Sequence, residues 1–220
     1  SNGSFSQEGV QLVTNGDFSS DTAWIKGTGT TISGGNANFV NADGVSLYQS
    51  IGNQSGFVKI TFNVTDYTSG TLNVYSGGNQ SVGTINVSAN ALGTFTAYVD
   101  RNGGNVNIIF GSSDNFTGSI DNVSVREVGQ DWNIGSDWSI AENKAVSSGS
   151  GNNLQQTINI SSNKTYKLTF DVISTSGTLG FDLGGDTAKT LTDSGSKEYY
   201  FQRVNNNDLR FYGANYYGEI

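Results

Sequence analysis

The side chains that could do chemistry in this 220-residue chain are tyrosines, amides and carboxylates, because histidine and cysteine are both absent. That absence removes Ser-His and Cys-His nucleophile pairs and any metal held by histidine or thiolate. A carboxylate pair for glycoside hydrolysis stays chemically open. Its candidates, such as Asp43, Asp66, Asp114 and Asp193, stand singly in turns, and no motif places two of them together. The tyrosines offer something different. Ring faces stack on the C–H groups of a sugar while amides and carboxylates hydrogen-bond its hydroxyls. Tyr48 and Tyr75 fall at the outward phase of alternating segments, and Tyr98 lies in the alternating run 94-TFTAYV-99. Further along, Gln155, Asp182, Arg210 and Tyr212 take comparable phases, with Tyr216 and Tyr217 expected in a loop. Tyr48, Tyr75, Tyr98 and Tyr212 are therefore the candidate glycan-binding residues. The competing reading is packing alone, since exposed tyrosines pair across strands on many sheets.

Positioning those residues requires strands, and the apolar pattern supplies them. In 58-VKITFNV-64, Val58, Ile60, Phe62 and Val64 share one face while Lys59, Thr61 and Asn63 take the other. The segment 166-YKLTFDV-172 repeats this with Tyr166, Leu168, Phe170 and Val172 inward. Leu72/Val74, Leu179/Phe181/Leu183 and Val106/Ile108/Phe110 read the same way, and no segment sustains a helical period. Gln49 and Gln156 are in phase with core residues, so their amides are expected to bond backbone across a sheet edge. Thirty glycines, no proline, 11% aromatic and only 14% charged residues suit many short strands joined by Gly/Asn/Ser turns.

The strands come in two sets. Trp24 in 21-DTAWIKGTG-29 is matched to Trp138 in 135-GSDWSIAEN-143, and 46-SLYQSIG-52 to 153-NLQQTINI-160 through a shared Leu-x-Gln-x-Ile. Next, 58-VKITFNV-64 matches 166-YKLTFDV-172, and 70-GTLNVYSGG-78 matches 177-GTLGFDLGG-185. Finally 106-VNIIFG-111 resembles 208-DLRFYG-213, and Gly118-Ser-Ile120 resembles Gly218-Glu-Ile220. Order is kept and only loop lengths differ, so the chain is a tandem duplication. Residues 12–128 form repeat one and 129–220 repeat two, with 1–11 read as a linker or the tail of a preceding segment. The expected fold is all-β: two tandem antiparallel β-sandwich (jelly-roll) domains.

A net charge of −8 without any basic cluster argues against nucleic acid or an anionic membrane surface as partner. No stretch is apolar enough for a bilayer-spanning helix, so membrane insertion is not expected.

Each repeat resembles a carbohydrate-binding-module-like jelly roll of the galactose-binding-like type. The resemblance rests on the opening 13-VTNGDFSSDTAW-24, the middle 46-SLYQSIG-52 with 58-VKITFNV-64, and the closing 118-GSIDNVSVREV-128. Modules worded like this are also similar to those strung along structural and fibre proteins of marine bacteriophages. The resemblance implies that 120-IDNVSVREV-128 closes the sandwich beside the strand after 15-NGDF-18. It also implies a structural calcium there, with Asp17 and Asp121 as the carboxylates among six to eight hard oxygens. The plainer alternative has Asp17 capping a turn and Asp121 beginning a strand. Repeat two lacks the Asn-Gly-Asp-Phe opening, with Gln130-Asp131-Trp132 in its place, and lacks the Asp-Asn-Val-Ser-Val end.

Repeat two is thus expected to be short of its closing strand, leaving apolar edges that repeat one covers, and the chain is read as part of a longer repeat-bearing protein. The function these readings imply is a non-catalytic virion surface or fibre segment. It would adhere weakly and multivalently to host-surface glycans, or decorate a capsid or tail. The alternative is a glycan-binding module of a secreted polysaccharide-degrading enzyme or bacterial adhesin. Partners would be cell-surface glycans or other virion proteins, in a setting compatible with a homo-oligomeric fibre. The location would be a virion surface or extracellular.

Overall fold

The computed structural model describes residues 3, 5, 7–52, 56–77, 84–101 and 107–220. Gly78, the end of a matched segment, and Val106, read above as a core position, lie outside them. The described residues are all-β, in two compact units: Glu8–Val128, the first module, and Gly129–Ile220 together with Ser1–Gln7, the second. Each is an antiparallel β-sandwich.

The first module contains β1 (Ile25–Lys26), β2 (Thr30–Ser33), β3 (Asn36–Ser50), β4 (Phe57–Ser69), β5 (Leu72–Gly77), β6 (Thr84–Ala89), β7 (Gly93–Asp100) and β8 (Asn107–Val128). The second contains β9 (Asn133–Ile134), β10 (Trp138–Ala141), β11 (Lys144–Ser150), β12 (Leu154–Thr157), β13 (Thr165–Ser176), β14 (Leu179–Leu183), β15 (Lys189–Leu191), β16 (Gly195–Gln202), β17 (Asp208–Tyr212) and β18 (Ala214–Glu219).

In the second module the two layers are separate five-stranded sheets, ordered β10-β11-β18-β13-β16 and β15-β14-β17-β12-β9. In the first module the same layers are joined, because β3 and β8 each run through both. Register shifts between Phe39 and Leu47 bend β3 from one layer to the other, as bulges do at sandwich corners. Its halves correspond to β11 and β12, and those of β8 to β17 and β18.

The core follows the alternation. Val58, Ile60 and Phe62 are fully buried, as are Leu47, Val74 and Phe110 from the opposite layer. Phe62 meets Phe110 edge-on at 5.1 Å between ring centres, and Phe170 meets Phe211 at 5.1 Å in the second module. Full burial of such a ring, as at Phe62, contributes roughly 1.5–3 kcal/mol by leaving water.

Pairing register corrects two of the sequence matches. Phe211 lies opposite Leu154 and Phe181, as Phe110 lies opposite Leu47 and Val74. Phe110 therefore corresponds to Phe211, one position earlier than the matched hexapeptides place it. Trp24 precedes β1 and packs on Phe110 at 6.2 Å; Trp132 precedes β9 and packs on Phe211 at 6.3 Å. Trp132, not Trp138, is the structural counterpart of Trp24. Trp138 pairs with Ser147 where Thr30 pairs with Phe39, and it lies against Tyr216.

The leading segment, expected as linker, is held at both of its ends. Gly9 and Leu12 donate N–H bonds of 2.9 Å to the carbonyls of Glu127 and Val125, and Gln11 bridges to Arg126. Gln49 clamps Thr14 with both ends of its amide, accepting from the Thr14 N–H at 2.8 Å and donating to its carbonyl at 2.9 Å. That is the backbone role expected of this buried glutamine. Phe5, buried, stacks obliquely on Trp132 at 5.1 Å in the second module, as Phe18 does on Trp24 at 5.5 Å in the first. The phenylalanine missing from the start of repeat two is thus supplied from the other end of the sequence.

Gly118 and Gly218 occupy equivalent tight places. A Cβ would stand 2.5 Å from the Asp66 carbonyl oxygen at the first and 2.3 Å from that of Ile173 at the second. Only glycine lets the last strand approach its neighbour this closely. Beyond this point the modules diverge. Residues 121–128 of β8 pair with β4 from Asn63 to Phe57. In the second module β18 pairs with β13 only over Ile173–Ser176, and among the described residues no strand pairs with 165–172 on that side.

Candidate functional site

The four candidate tyrosines are not brought together. Tyr98 lies opposite Lys59, on the layer carrying β4 and β7. Tyr48 and Tyr75 are on the other layer of the same module and both lie opposite Ile109. With Ile25 opposite Tyr48, they make one cross-strand row, Ile25–Tyr48–Ile109–Tyr75, on the face turned from the core.

Tyr75 corrects the expectation that outward phase means an open ring. It is 4% exposed, and its neighbours Asn73 and Ile109 are just as buried. Its ring edge lies 3.0 Å from where a Cβ on Gly111 would stand, so it is seated over that glycine. Asn73 donates to its hydroxyl at 3.2 Å and accepts from Ser88 at 2.6 Å. Alternation fixes which way a side chain leaves the strand; what covers that face is set elsewhere in the chain. Tyr48 remains half-buried.

The equivalent row of the second module is polar. Asn133 lies opposite Gln155, Gln155 opposite Arg210, and Arg210 opposite Asp182. Position by position, Ile25, Tyr48, Ile109 and Tyr75 become Asn133, Gln155, Arg210 and Asp182. The Arg210 guanidinium donates from Nε and Nη2 to Asp182 Oδ1 at 3.2 and 3.0 Å. The Asp182 side chain is 3% exposed and that of Arg210 34%, so the cation reaches solvent over a sunken anion. The next row adds Thr157, whose hydroxyl donates to Asp208 at 2.8 Å.

A groove of about 470 Å³ runs along this edge, lined by Asp131, Asn133, Gln155, Thr157 and Asn159. Its donors and acceptors are amide, hydroxyl and carboxylate groups, the set that matches vicinal hydroxyls. Tyr212 stands two residues from Arg210 on the same face of β17. Its ring lies over Gly180, where a Cβ would meet it at 2.6 Å. Burial, and then the negative Asp182, push its phenol above the ordinary value, so it remains a neutral donor at physiological pH.

Sequence reasoning named Gln155, Asp182, Arg210 and Tyr212 but missed Asp131, just before β9, and Asn133, within it, because a two-residue strand is too short to show a period. Tyr216 and Tyr217, expected in a loop, both lie in β18. Tyr216 is fully buried against Trp138, with its phenol pushed up to about 12 chiefly by burial, and Tyr217 is exposed.

The calcium expectation meets two carboxylates turned to local work. Asp17 accepts from the Ser19 N–H and hydroxyl at 3.3 and 3.0 Å. Asp121 accepts from the Asn122 backbone at 2.6 Å and its side-chain amide at 2.9 Å. Among the described residues no three acidic side chains gather to hold a metal ion. Asp17 lies in a turn and Asp121 in β8, and each accepts its hydrogen bonds from groups one or two residues further along the chain.

No family model matches the chain, and no curated protein matches it. Among solved structures, the N-terminal CBM22-1–CBM22-2 tandem domain of Xyn10C from Paenibacillus barcinonensis is similar to it, with 13% sequence identity and a TM-score of 0.42. The match covers 96% of this chain and 91% of that one.

Proposed function

We propose that the chain is a non-catalytic, carbohydrate-binding pair of jelly rolls in which the second module carries the glycan site. The observation that carries this reading is the polar row Asn133–Gln155–Arg210–Asp182 beside an open groove, with Tyr212 on the same face. The row, with Tyr212 beside it, offers amide donors and acceptors, one solvent-reaching cation and a ring. In the first module the same positions are aliphatic and aromatic, with no amide, cation or carboxylate among them, which supports a scaffold role there.

Binding through one shallow polar face is weak per copy, and multiplicity would supply avidity. That suits display at a virion surface or fibre, outside the cell. It equally suits a module of a secreted polysaccharide-degrading enzyme or adhesin. The test is a glycan array with the intact chain and the variants Gln155→Ala and Tyr212→Ala. Wild type is expected to bind a subset of polysaccharides, each variant at least fivefold less, and Tyr48→Ala to leave binding unchanged. No binding by wild type, or equal binding by both second-module variants, would sink the proposal.

A further inference from the structure

We infer that the second module is a strand acceptor: the groove along residues 165–172 of β13 takes an extended peptide strand with alternating branched aliphatic residues, running antiparallel to β13. The first observation is the open edge. Thr165–Val172 pairs with β16 on one side, and on the other side no described strand pairs with it.

The second observation is the cleft beside that edge, about 410 Å³ and lined mainly by apolar side chains, Trp132, Leu168, Phe170, Leu209, Phe211 and Ile220 among them. Leu168 and Phe170 are only half-buried there, whereas their counterparts Ile60 and Phe62 are fully buried. Of the charged groups lining the cleft, Lys144 and Glu219 pair with each other at 2.6 Å, and Asp171 accepts from the Ser196 hydroxyl at 2.5 Å.

The occupant's chemistry is read from the first module, where the same slot is filled. Asp121–Val128 lies antiparallel to β4, with Val125 opposite Ile60, Ser124 opposite Thr61 and Val128 opposite Phe57. Val123 and Val125 are buried by that pairing. Carried onto β13, the inward valines would fall against Leu168 and Phe170. Phe5 does not compete for this place. It stands where Phe18 stands, and Phe18 coexists with the strand, the Gly16 carbonyl accepting from the Val123 N–H at 2.8 Å. Strand addition of this kind draws affinity from main-chain bonds and register from alternate side-chain pockets.

The experiment lengthens the full chain after Ile220 by a copy of residues 121–128, DNVSVREV. A control extension carries Val123→Asp and Val125→Asp within that copy. Backbone amide exchange across 165–172 is expected to slow at least tenfold in the extended chain and not in the control. The second module's melting transition should rise by roughly 5 °C. In trans, the free peptide IDNVSVREV should protect the same amides, at least tenfold more tightly than its aspartate version. Unchanged exchange, or equal protection by the control, overturns the proposal. Protection already present in the unextended chain that grows with protein concentration, alongside a dimer in sedimentation, also overturns it, since a second copy would then own the groove.

Discussion

The two modules hold one fold with opposite outer faces. Their inward residues agree: Leu47, Phe110 and Val74 in one are Leu154, Phe211 and Phe181 in the other, in the same register. Their outward row has changed completely, from Ile25–Tyr48–Ile109–Tyr75 to Asn133–Gln155–Arg210–Asp182. A core must fill a fixed space, so its positions tolerate only apolar exchange of similar volume. The outer row answers only to what covers it. Both rows run from an exposed end to a buried one, but the first is aliphatic and aromatic while the second is polar and holds an ion pair. The second module keeps the scaffold of the first and presents a different outer row.

A second difference lies at the sheet edge. The strand slot filled by 121–128 in the first module is empty among the described residues of the second, so equivalent core aromatics sit in unequal surroundings. Truncating them should expose that inequality most strongly. Phe62→Ala is expected to destabilise the first module by about 3–5 kcal/mol, as large-to-small changes at fully buried rings do. Phe170→Ala should lower the second by roughly half as much, because its ring is already partly wetted. Denaturant unfolding of each variant followed by tryptophan fluorescence checks this. Equal losses would mean the two edges are equally closed.

Much of this was legible beforehand, and the failures share a cause. The alternation in 58-VKITFNV-64 and 166-YKLTFDV-172 is a local property of a strand with one buried face, so it read correctly. The Gly118/Gly218 match held because a Cβ at either would strike a neighbouring carbonyl. Matching Trp24 with Trp138 failed because residue identity outweighed spacing. Trp24 precedes Leu47 by 23 positions and Trp132 precedes Leu154 by 22, while Trp138 precedes it by only 16; that count was the available signal. Burial of Tyr75, and Phe5 standing in for Phe18, had no local signature. Both depend on segments distant in sequence meeting in space.

The leading segment gives a smaller contrast. In the first module Gln49 fastens Thr14 by two hydrogen bonds, one to its N–H and one to its carbonyl. Gln49→Ala removes both and leaves the Thr14 groups to find other partners, which should destabilise the first module by about 1–3 kcal/mol. Amide exchange at residues 9–14 should quicken in parallel, while the second module's exchange stays unchanged. Loss of stability without faster exchange there would mean that Gln49 acts through core packing alone.

The smallest expected effect concerns Asp17 and Asp121, and it weighs a calcium site there against local hydrogen bonding. Each carboxylate already accepts two hydrogen bonds from a close neighbour in sequence, Ser19 or Asn122, so a cation would have to displace those donors before gaining an oxygen. With no third acidic side chain gathered there among the described residues, little favours that exchange over full hydration of the ion. Adding millimolar CaCl₂ after EDTA treatment should therefore leave the first module's melting temperature within about 1 °C, because a ligand stabilises only in proportion to its occupancy of the native state. Asp17→Asn retains an accepting oxygen for Ser19 and should be similarly quiet. A calcium-dependent rise of several degrees that disappears in both Asp17→Asn and Asp121→Asn would show that these turns reopen around the ion, and the two carboxylates would then be its ligands.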